Sequence, residues 1–140
     1  MKNDIIAVDF DGTIVEHAYP RIGAPIPFAI ETLLRLQREG YRLVLWTVRA
    51  GKLLDEAVAY CRDNGLEFYA VNANYPDEVL TENDSRKLNA NIYIDDRNVG
   101  GLPDWGVIYQ IIKGTCVPTY NAQYSLPKPK GFWQKLRELF

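Results

Sequence analysis

The chain has 140 residues, of which 47% are apolar and 24% charged, and its formal net charge is −2; these values are typical of one soluble globular domain. The near-neutral charge argues against sequence-independent nucleic-acid binding as the main activity, because that activity needs many cations to neutralise phosphates. No apolar run approaches the roughly 20 residues that cross a bilayer, and no signal peptide precedes the first predicted strand. We therefore expect a cytoplasmic protein that does not interact with membranes.

Five short apolar segments predict strands, because most are continuous apolar runs of the kind found in strands covered on both faces. In chain order they are Asp4–Phe10, Tyr41–Trp46, Glu67–Val71, Asn91–Ile94 and Gly106–Tyr109. Apolar stripes with helical spacing predict one helix from Pro27 to Gly40 and another from Leu53 to Gly65. The alternation of strands and helices favours an α/β fold with a parallel sheet and right-handed crossovers.

The remaining segments indicate loops around one domain. His17–Pro27 is rich in proline, Ala73–Asn83 is polar, and both are too short for a second domain with its own core. Thr115–Lys130 has the composition of an irregular arm, and Gly131–Phe140 that of an amphipathic helix. We expect a core over residues 1–114, with the arm and helix of residues 115–140 packed on the core or on a partner.

The two cysteines, Cys61 and Cys116, lack the spacing of a metal site or of a redox motif. Cys61 lies in a predicted helix and is most simply a small buried apolar group. We do not expect a disulfide.

Asp9 and Asp11 end the first predicted strand, two residues apart. Alternate residues of a strand point the same way, and ligands of open α/β sheets bind at the carboxyl ends of the strands. Two such carboxylates repel each other unless a cation lies between them. One could act as a nucleophile while the other handles a proton. The alternative is a loop-capping pair without chemistry.

Further polar residues follow the other predicted strands. Thr47 suits either a phosphate oxygen or a helix N-cap. Asp95 and Asp96 suit either a hard cation or the start of a turn. Lys87 is either an ammonium beside the reacting groups or a solvated lysine. Arg49 either contacts phosphate or forms a surface ion pair.

Asp9-Phe10-Asp11-Gly12-Thr13, Thr47, Lys87 and Asp95-Asp96 occur in the order of the four motifs of the haloacid dehalogenase-like (HAD) phosphohydrolase superfamily, which residues 4–112 resemble. The resemblance implies a Rossmann-like fold with five parallel strands in the order 5-4-1-2-3, flanked by helices. Residues His17–Pro25 occupy the position of the family's flap. The segments where other members carry a cap are short, which indicates a member without a cap domain.

The resemblance also implies roles for these residues. Asp9 would be the nucleophile that forms an aspartyl-phosphate, Asp11 the general acid/base, and Lys87 the cation that stabilises both nucleophile and phosphate. Mg²⁺ would be held by the Asp9 carboxylate, the Asp11 carbonyl and Asp96, with Asp95 as the alternative direct ligand. The expected phosphate-binding residues are Asp11, Gly12, Thr47, Val48, Arg49 and Lys87.

The resemblance implies a Mg²⁺-dependent phosphomonoesterase, most simply one for a small phosphorylated substrate. Ser85–Arg97 is similar to the corresponding stretch of deoxyribonucleotidases and polynucleotide 3′-phosphatases, which favours a nucleotide-like substrate. His17, the only histidine, is either a substrate contact or an exposed loop residue. Alternatives are a phosphotransferase, a phosphatase acting on a nucleic-acid end or a phosphoprotein, and a non-catalytic phosphate- or nucleotide-binding module. A homo-oligomer is compatible with each of them.

Overall fold

The structure is a computed structural model that describes residues 4–115. Its elements in chain order are β1 (Ile5–Val8), α1 (Ala29–Arg38), β2 (Arg42–Leu45), α2 (Gly51–Asp63), β3 (Ala70–Val71), β4 (Ile92–Ile94) and α3 (Trp105–Lys113). The predicted arm and C-terminal helix lie, from residue 116 onward, outside the described residues, as does Cys116.

The strands form a parallel sheet in the order β3-β2-β1-β4. Val8, the last residue of β1, lies opposite Leu45 of β2 and Ile94 of β4, so these three strands end at the same level. The predicted α/β class and the 4-1-2-3 part of the strand order are therefore confirmed. The carboxyl edge of this sheet receives the loops that carry the candidate residues.

The predicted fifth strand is wrong, because Gly106–Tyr109 lies inside α3 and the sheet of residues 4–115 has four strands. Trp105, Ile108 and Ile112 of this helix are buried three and four residues apart, which is helical spacing. A window of four apolar residues cannot reveal that period, so it was indistinguishable from a buried strand.

The two faces of the sheet bury different residues, because successive strand residues point to opposite sides. Ile6, Val8, Leu43 and Leu45 belong to a large cluster that includes buried residues of all three helices. Ala7, Val44 and Ala70 form a second cluster with Leu88 from the loop after β3. Burial on both faces explains why the strands are continuous apolar runs.

Cys61 of α2 is a free thiol within the large cluster, as predicted. Burial raises the pKa of this thiol to about 12, so it contributes to packing rather than to reactivity.

Two long loops follow β1 and β3, and neither contains a helix or strand within residues 4–115. The loop after β1 includes a narrow hairpin-like segment, residues 16–25, which we call the flap. At its base the Glu16 N–H donates to the Ala24 carbonyl at 2.7 Å, and the Ile26 N–H donates to the Ile14 carbonyl at 3.0 Å. Gly23 is required there, since an added Cβ would lie 2.0 Å from the Glu16 carbonyl oxygen.

Within residues 4–115 the longest helix, α2, has 13 residues, and no helix in that range has the length and apolarity to cross a membrane.

Trp105 joins α3 to the loop after β1. Its ring is buried, and its indole Nε1–H donates to the Thr13 carbonyl at 3.0 Å. Thr13 lies between two of the candidate acids, so this bond connects the packing of α3 to the carboxyl edge of β1.

We expect Trp105→Phe to lower the free energy of unfolding by about 2–4 kcal/mol, since it removes buried volume and leaves a buried carbonyl without its donor. The matched control is Tyr109→Phe on the same helix, which removes an exposed hydroxyl that donates to Glu39 at 2.7 Å; it should cost about 1 kcal/mol or less. Urea unfolding of both variants measures the difference, and equal losses would contradict this account of Trp105.

Candidate functional site

Three acidic side chains meet at the carboxyl edge of the sheet. Asp9 follows β1, and Asp95 and Asp96 follow its neighbour β4. One carboxylate oxygen from each lies within 4.8 Å of the other two, and all three residues are partly buried. Like charges at this separation repel strongly, so the cluster is a candidate site for a cation with a preference for oxygen ligands.

The crowding is reflected in the pKa of Asp9, which is raised to about 7. Burial is the largest cause, followed by a hydrogen bond with Asp96 and by the charge of Asp95. A carboxylate in these surroundings holds a proton unless a cation takes the proton's place.

Thr13 connects the acids of the two strands. Its hydroxyl is buried, lies 3.2 Å from Asp9 Oδ2 and 3.4 Å from Asp96 Oδ1, and accepts a hydrogen bond from the Asp96 N–H at 3.1 Å. In the sequence, Thr13 is the last residue of the first motif, where no role was predicted for it. Its signal was the threonine directly after Asp-Gly, and its partner Asp96 is 83 residues away.

Gly12 allows the loop after β1 to approach Asp96. Its φ is +84°, and an added Cβ would lie 2.3 Å from Asp96 Oδ2. Both the left-handed backbone and the close carboxylate therefore require glycine at this position.

Asp11 lies apart from the acidic cluster and pairs with Arg49. Arg49 Nε donates to Asp11 Oδ2 at 2.7 Å, and Nη2 donates to Asp11 Oδ1 at 2.7 Å. The pair is buried, so Arg49 is not the surface ion pair that sequence analysis weighed. The hydrogen bonding of Arg49 to the Asp11 carboxylate, which accepts from it, raises the pKa of Arg49 further above its ordinary value.

The other N–H groups of Arg49 donate to backbone carbonyls. Nη2 donates to Arg21 at 2.9 Å, and Nη1 donates to Pro20 at 3.1 Å and to Leu53 at 3.4 Å. All five N–H groups of the guanidinium thus have partners. Contact between Arg49 and phosphate, which sequence analysis expected, would require one of these bonds to break.

Thr47 follows β2 at the same edge. Its N–H donates to Asn72 Oδ1 at 2.8 Å, and its hydroxyl accepts from the Arg49 N–H at 3.1 Å. The helix α2 begins after Ala50, so Thr47 is not its N-cap. Val48 is 89% exposed beside it. Asn72, which directly follows β3 and has a left-handed φ of 49°, holds this turn through its side-chain oxygen.

Lys87 lies in the loop between β3 and β4 and is exposed. Its Nζ is 5.3 Å from the centroid of the Tyr93 ring. Among the ion pairs within residues 4–115, none involves Lys87. The expected contact between its ammonium and Asp9 is thus absent in this arrangement of the described chain, and the catalytic role stays a prediction. His17 is exposed in the flap.

No protein-family model and no curated protein matches the chain at a significant level. Among solved structures, the chain is similar to a conserved protein coded by a locus from Bacteroides thetaiotaomicron, with 61% sequence identity and a TM-score of 0.78. The match covers 88% of this chain and 98% of that chain. The chain therefore belongs to the family of that conserved protein. The fold of the described residues is a parallel α/β sheet compatible with a Rossmann-like architecture.

The raised pKa of Asp9 gives the stability of the metal-free protein a pH dependence. The folded state holds a proton on Asp9 that the unfolded chain releases near the ordinary value of 3.8. The resulting stabilisation is present below that pH and is lost as the pH rises towards about 7.

We therefore expect the free energy of unfolding of Asp9→Asn at about pH 8 to exceed that of the wild type by about 1–2 kcal/mol, after allowance for the partial exposure of Asp9. At about pH 4.5 this difference should shrink. Guanidinium titrations at the two pH values test this, with chelator present. A variant equally stable to the wild type at both pH values would contradict the raised pKa of Asp9.

Gly12→Ala tests the close approach to Asp96. Gly100→Ala is the matched control, since Gly100 also has a left-handed φ, +95°, but nothing lies within 4 Å of its added Cβ. Both variants share the backbone strain, and Gly12→Ala should lose about 1–3 kcal/mol more from overpacking. Chemical denaturation compares the two, and similar losses would show that Asp96 moves aside without cost.

Proposed function

We propose that the protein is a Mg²⁺-dependent phosphatase that hydrolyses a phosphomonoester through a covalent aspartyl-phosphate on Asp9. The observation that carries the proposal is the cluster of Asp9, Asp95 and Asp96 at the carboxyl edge of β1 and β4. The motif order that resembles the HAD superfamily supports the same reading.

The donor set of the cluster fits Mg²⁺. It consists of carboxylate oxygens, which hard cations such as Mg²⁺ prefer. Because the cluster offers one ligand atom from each of three residues, a bound ion would have further coordination positions for water and for phosphate oxygens. We assign Asp9 and Asp96 as ligands with the Asp11 carbonyl, and Asp95 as the alternative or water-mediated ligand. The bound ion would supply positive charge that lets an anionic nucleophile approach an anionic phosphate.

Asp9 is the nucleophile in this proposal. A carboxylate oxygen of Asp9 attacks phosphorus, the bond from phosphorus to the leaving oxygen breaks, and Asp11 donates a proton to that oxygen. Asp11 then takes a proton from water, which attacks the same phosphorus and releases phosphate and free Asp9. The first step leaves Asp9 phosphorylated and Asp11 without its proton, and the second step restores both; to hold that proton, Asp11 has to leave its hydrogen bonds with Arg49.

The groups around Asp9 suit the phosphate oxygens. The Thr47 hydroxyl and the Val48 backbone lie in the loop after β2. Gly12 lies in the loop after β1, where its N–H donates to the Val15 carbonyl at 2.7 Å and would have to leave it to bind phosphate. Lys87 is the expected cation for the transferring phosphate, which in this conformation would require its side chain to leave Tyr93.

Exposed apolar side chains at the same edge support a leaving group with an apolar or aromatic face. Tyr19, Val48 and Tyr75 follow β1, β2 and β3, and each is exposed. A nucleobase has such a face, which agrees with the nucleotide-like preference implied by the resemblance. The loops at this edge carry no helix or strand within residues 4–115, so a nucleic-acid end or a phosphoprotein is the second candidate.

We expect the purified protein to hydrolyse p-nitrophenyl phosphate with Mg²⁺ and to lose this activity with chelator. Asp9→Asn should abolish turnover, and Asp11→Asn should lower kcat by about 10²–10⁴-fold. The matched control is Asp63→Asn, an exposed acid at the end of α2, with unchanged kcat. Full activity in Asp9→Asn, or no turnover with any divalent cation, would contradict the mechanism.

Trapping with beryllium fluoride separates this enzyme from a non-catalytic binding module. A phosphate mimic bound to Asp9 and dependent on Mg²⁺ supports the covalent mechanism, whereas ligand binding unaffected by Asp9→Asn supports the module. Comparing nucleoside monophosphates, sugar phosphates, phosphopeptides and 3′-phosphorylated oligonucleotides then identifies the substrate class, and transfer to an added alcohol detects a phosphotransferase.

A further inference from the structure

We propose that Arg49 is a positioning residue that couples the flap to the carboxylate of Asp11, so that the flap tip is released when Asp11 leaves its ion pair. The coupling concerns the control of the site described above. Its link to proton transfer rests on the proposed function, whereas the coupling itself is measured without substrate or turnover.

The tip of the flap is held through Arg49. Within residues 17–23, the backbone hydrogen bonds in the described chain are those that Pro20 and Arg21 accept from the guanidinium, at 3.1 and 2.9 Å. The Tyr19 ring centroid lies 5.2 Å from the guanidinium carbon. Ile22 adds apolar packing against the main core, and the base of the flap has its own hydrogen bonds.

Asp11 is connected to the flap tip through the same guanidinium. The hydrogen bonds of its side chain within residues 4–115 both come from Arg49, at 2.7 Å each. Within the described residues, Arg49 is therefore the side chain that hydrogen-bonds both to the Asp11 carboxylate and to the carbonyls of Pro20 and Arg21.

Burial makes the two ends of this connection interdependent. The Arg49 side chain is fully buried and that of Asp11 nearly so. A buried guanidinium that loses its carboxylate is an uncompensated charge, which favours arrangements that admit water or another anion. The exposed residues Tyr19, Pro20 and Arg21 form one side of its surroundings, so movement of the flap tip is the direct way to reach solvent.

Trypsin provides the test, because the bond after Arg21 lies in the flap tip and is cut only when the segment opens. The rate of this cleavage follows the open population when opening is fast. The variants are Arg49→Lys, Asp11→Asn and the double variant, digested in chelator and followed by mass spectrometry. Cleavage after Arg38, at the end of α1, reports global unfolding, and cleavage after Arg86 reports a separate loop.

Coupling predicts that Asp11→Asn and Arg49→Lys each accelerate cleavage after Arg21 by about tenfold or more, with no further acceleration in the double variant. The matched control is Arg62→Lys, which alters the exposed pair with Glu67 and should leave the rate unchanged. Cleavage after Arg21 at the wild-type rate in Asp11→Asn would overturn the proposal, since Arg49 would then hold the flap without Asp11.

If Asp11→Asn unfolds globally, cleavage after Arg38 will accelerate together with cleavage after Arg21, and Asp11→Glu is then tested instead. It keeps the charge but shifts the carboxylate by one methylene, so coupling still predicts faster cleavage after Arg21 alone. The wild-type rate would overturn coupling. The two proposals can fail separately. If the wild type is an active phosphatase but the variants are cleaved after Arg21 at the wild-type rate, only this inference fails. If the variants are cleaved faster but the wild type has no phosphatase activity, only the proposed function fails.

Discussion

The repulsion among three carboxylates at one edge of a small sheet is the constraint on which the surrounding structure depends. Asp9, Asp95 and Asp96 come together because β1 and β4 are neighbours and end at the same level. Gly12 lets the first loop close against this cluster, and Thr13 bridges it. Packing of Trp105 beneath that loop shows that the core and the site share the same support.

Two acids separated by one residue meet this repulsion in different ways. Asp9 faces other acids and its pKa rises to about 7, whereas Asp11 has a buried guanidinium on both of its oxygens. Asp9 is therefore surrounded by other acids, whereas Asp11 is paired with a cation. In the proposed mechanism, Asp9 would need a cation before it could act as a nucleophile, and Asp11 would have to leave Arg49 before it could hold a proton to donate.

The sequence was most informative where the determinants are local. The acids after β1 and β4 were predictable because a strand period and two short motifs specify them. The parallel sheet was predictable from the alternation of strands and helices, whereas the strand order was implied by the resemblance to the HAD superfamily. The strand prediction for Gly106–Tyr109 was wrong because a window of four residues is too short to show the helical period of α3. The partners of Arg49 were not predictable, since Asp11 and the flap carbonyls lie 28 to 38 residues earlier in the chain.

The Thr13 hydroxyl has one proton and two carboxylates within reach. It donates to one acceptor at a time, and the more negative oxygen attracts it more strongly. The Asp96 N–H occupies one lone pair of the hydroxyl oxygen and so restricts rotation about the Cβ–Oγ1 bond. The orientation of the Thr13 O–H bond therefore depends on how negative charge is divided between Asp9, after β1, and Asp96, after β4.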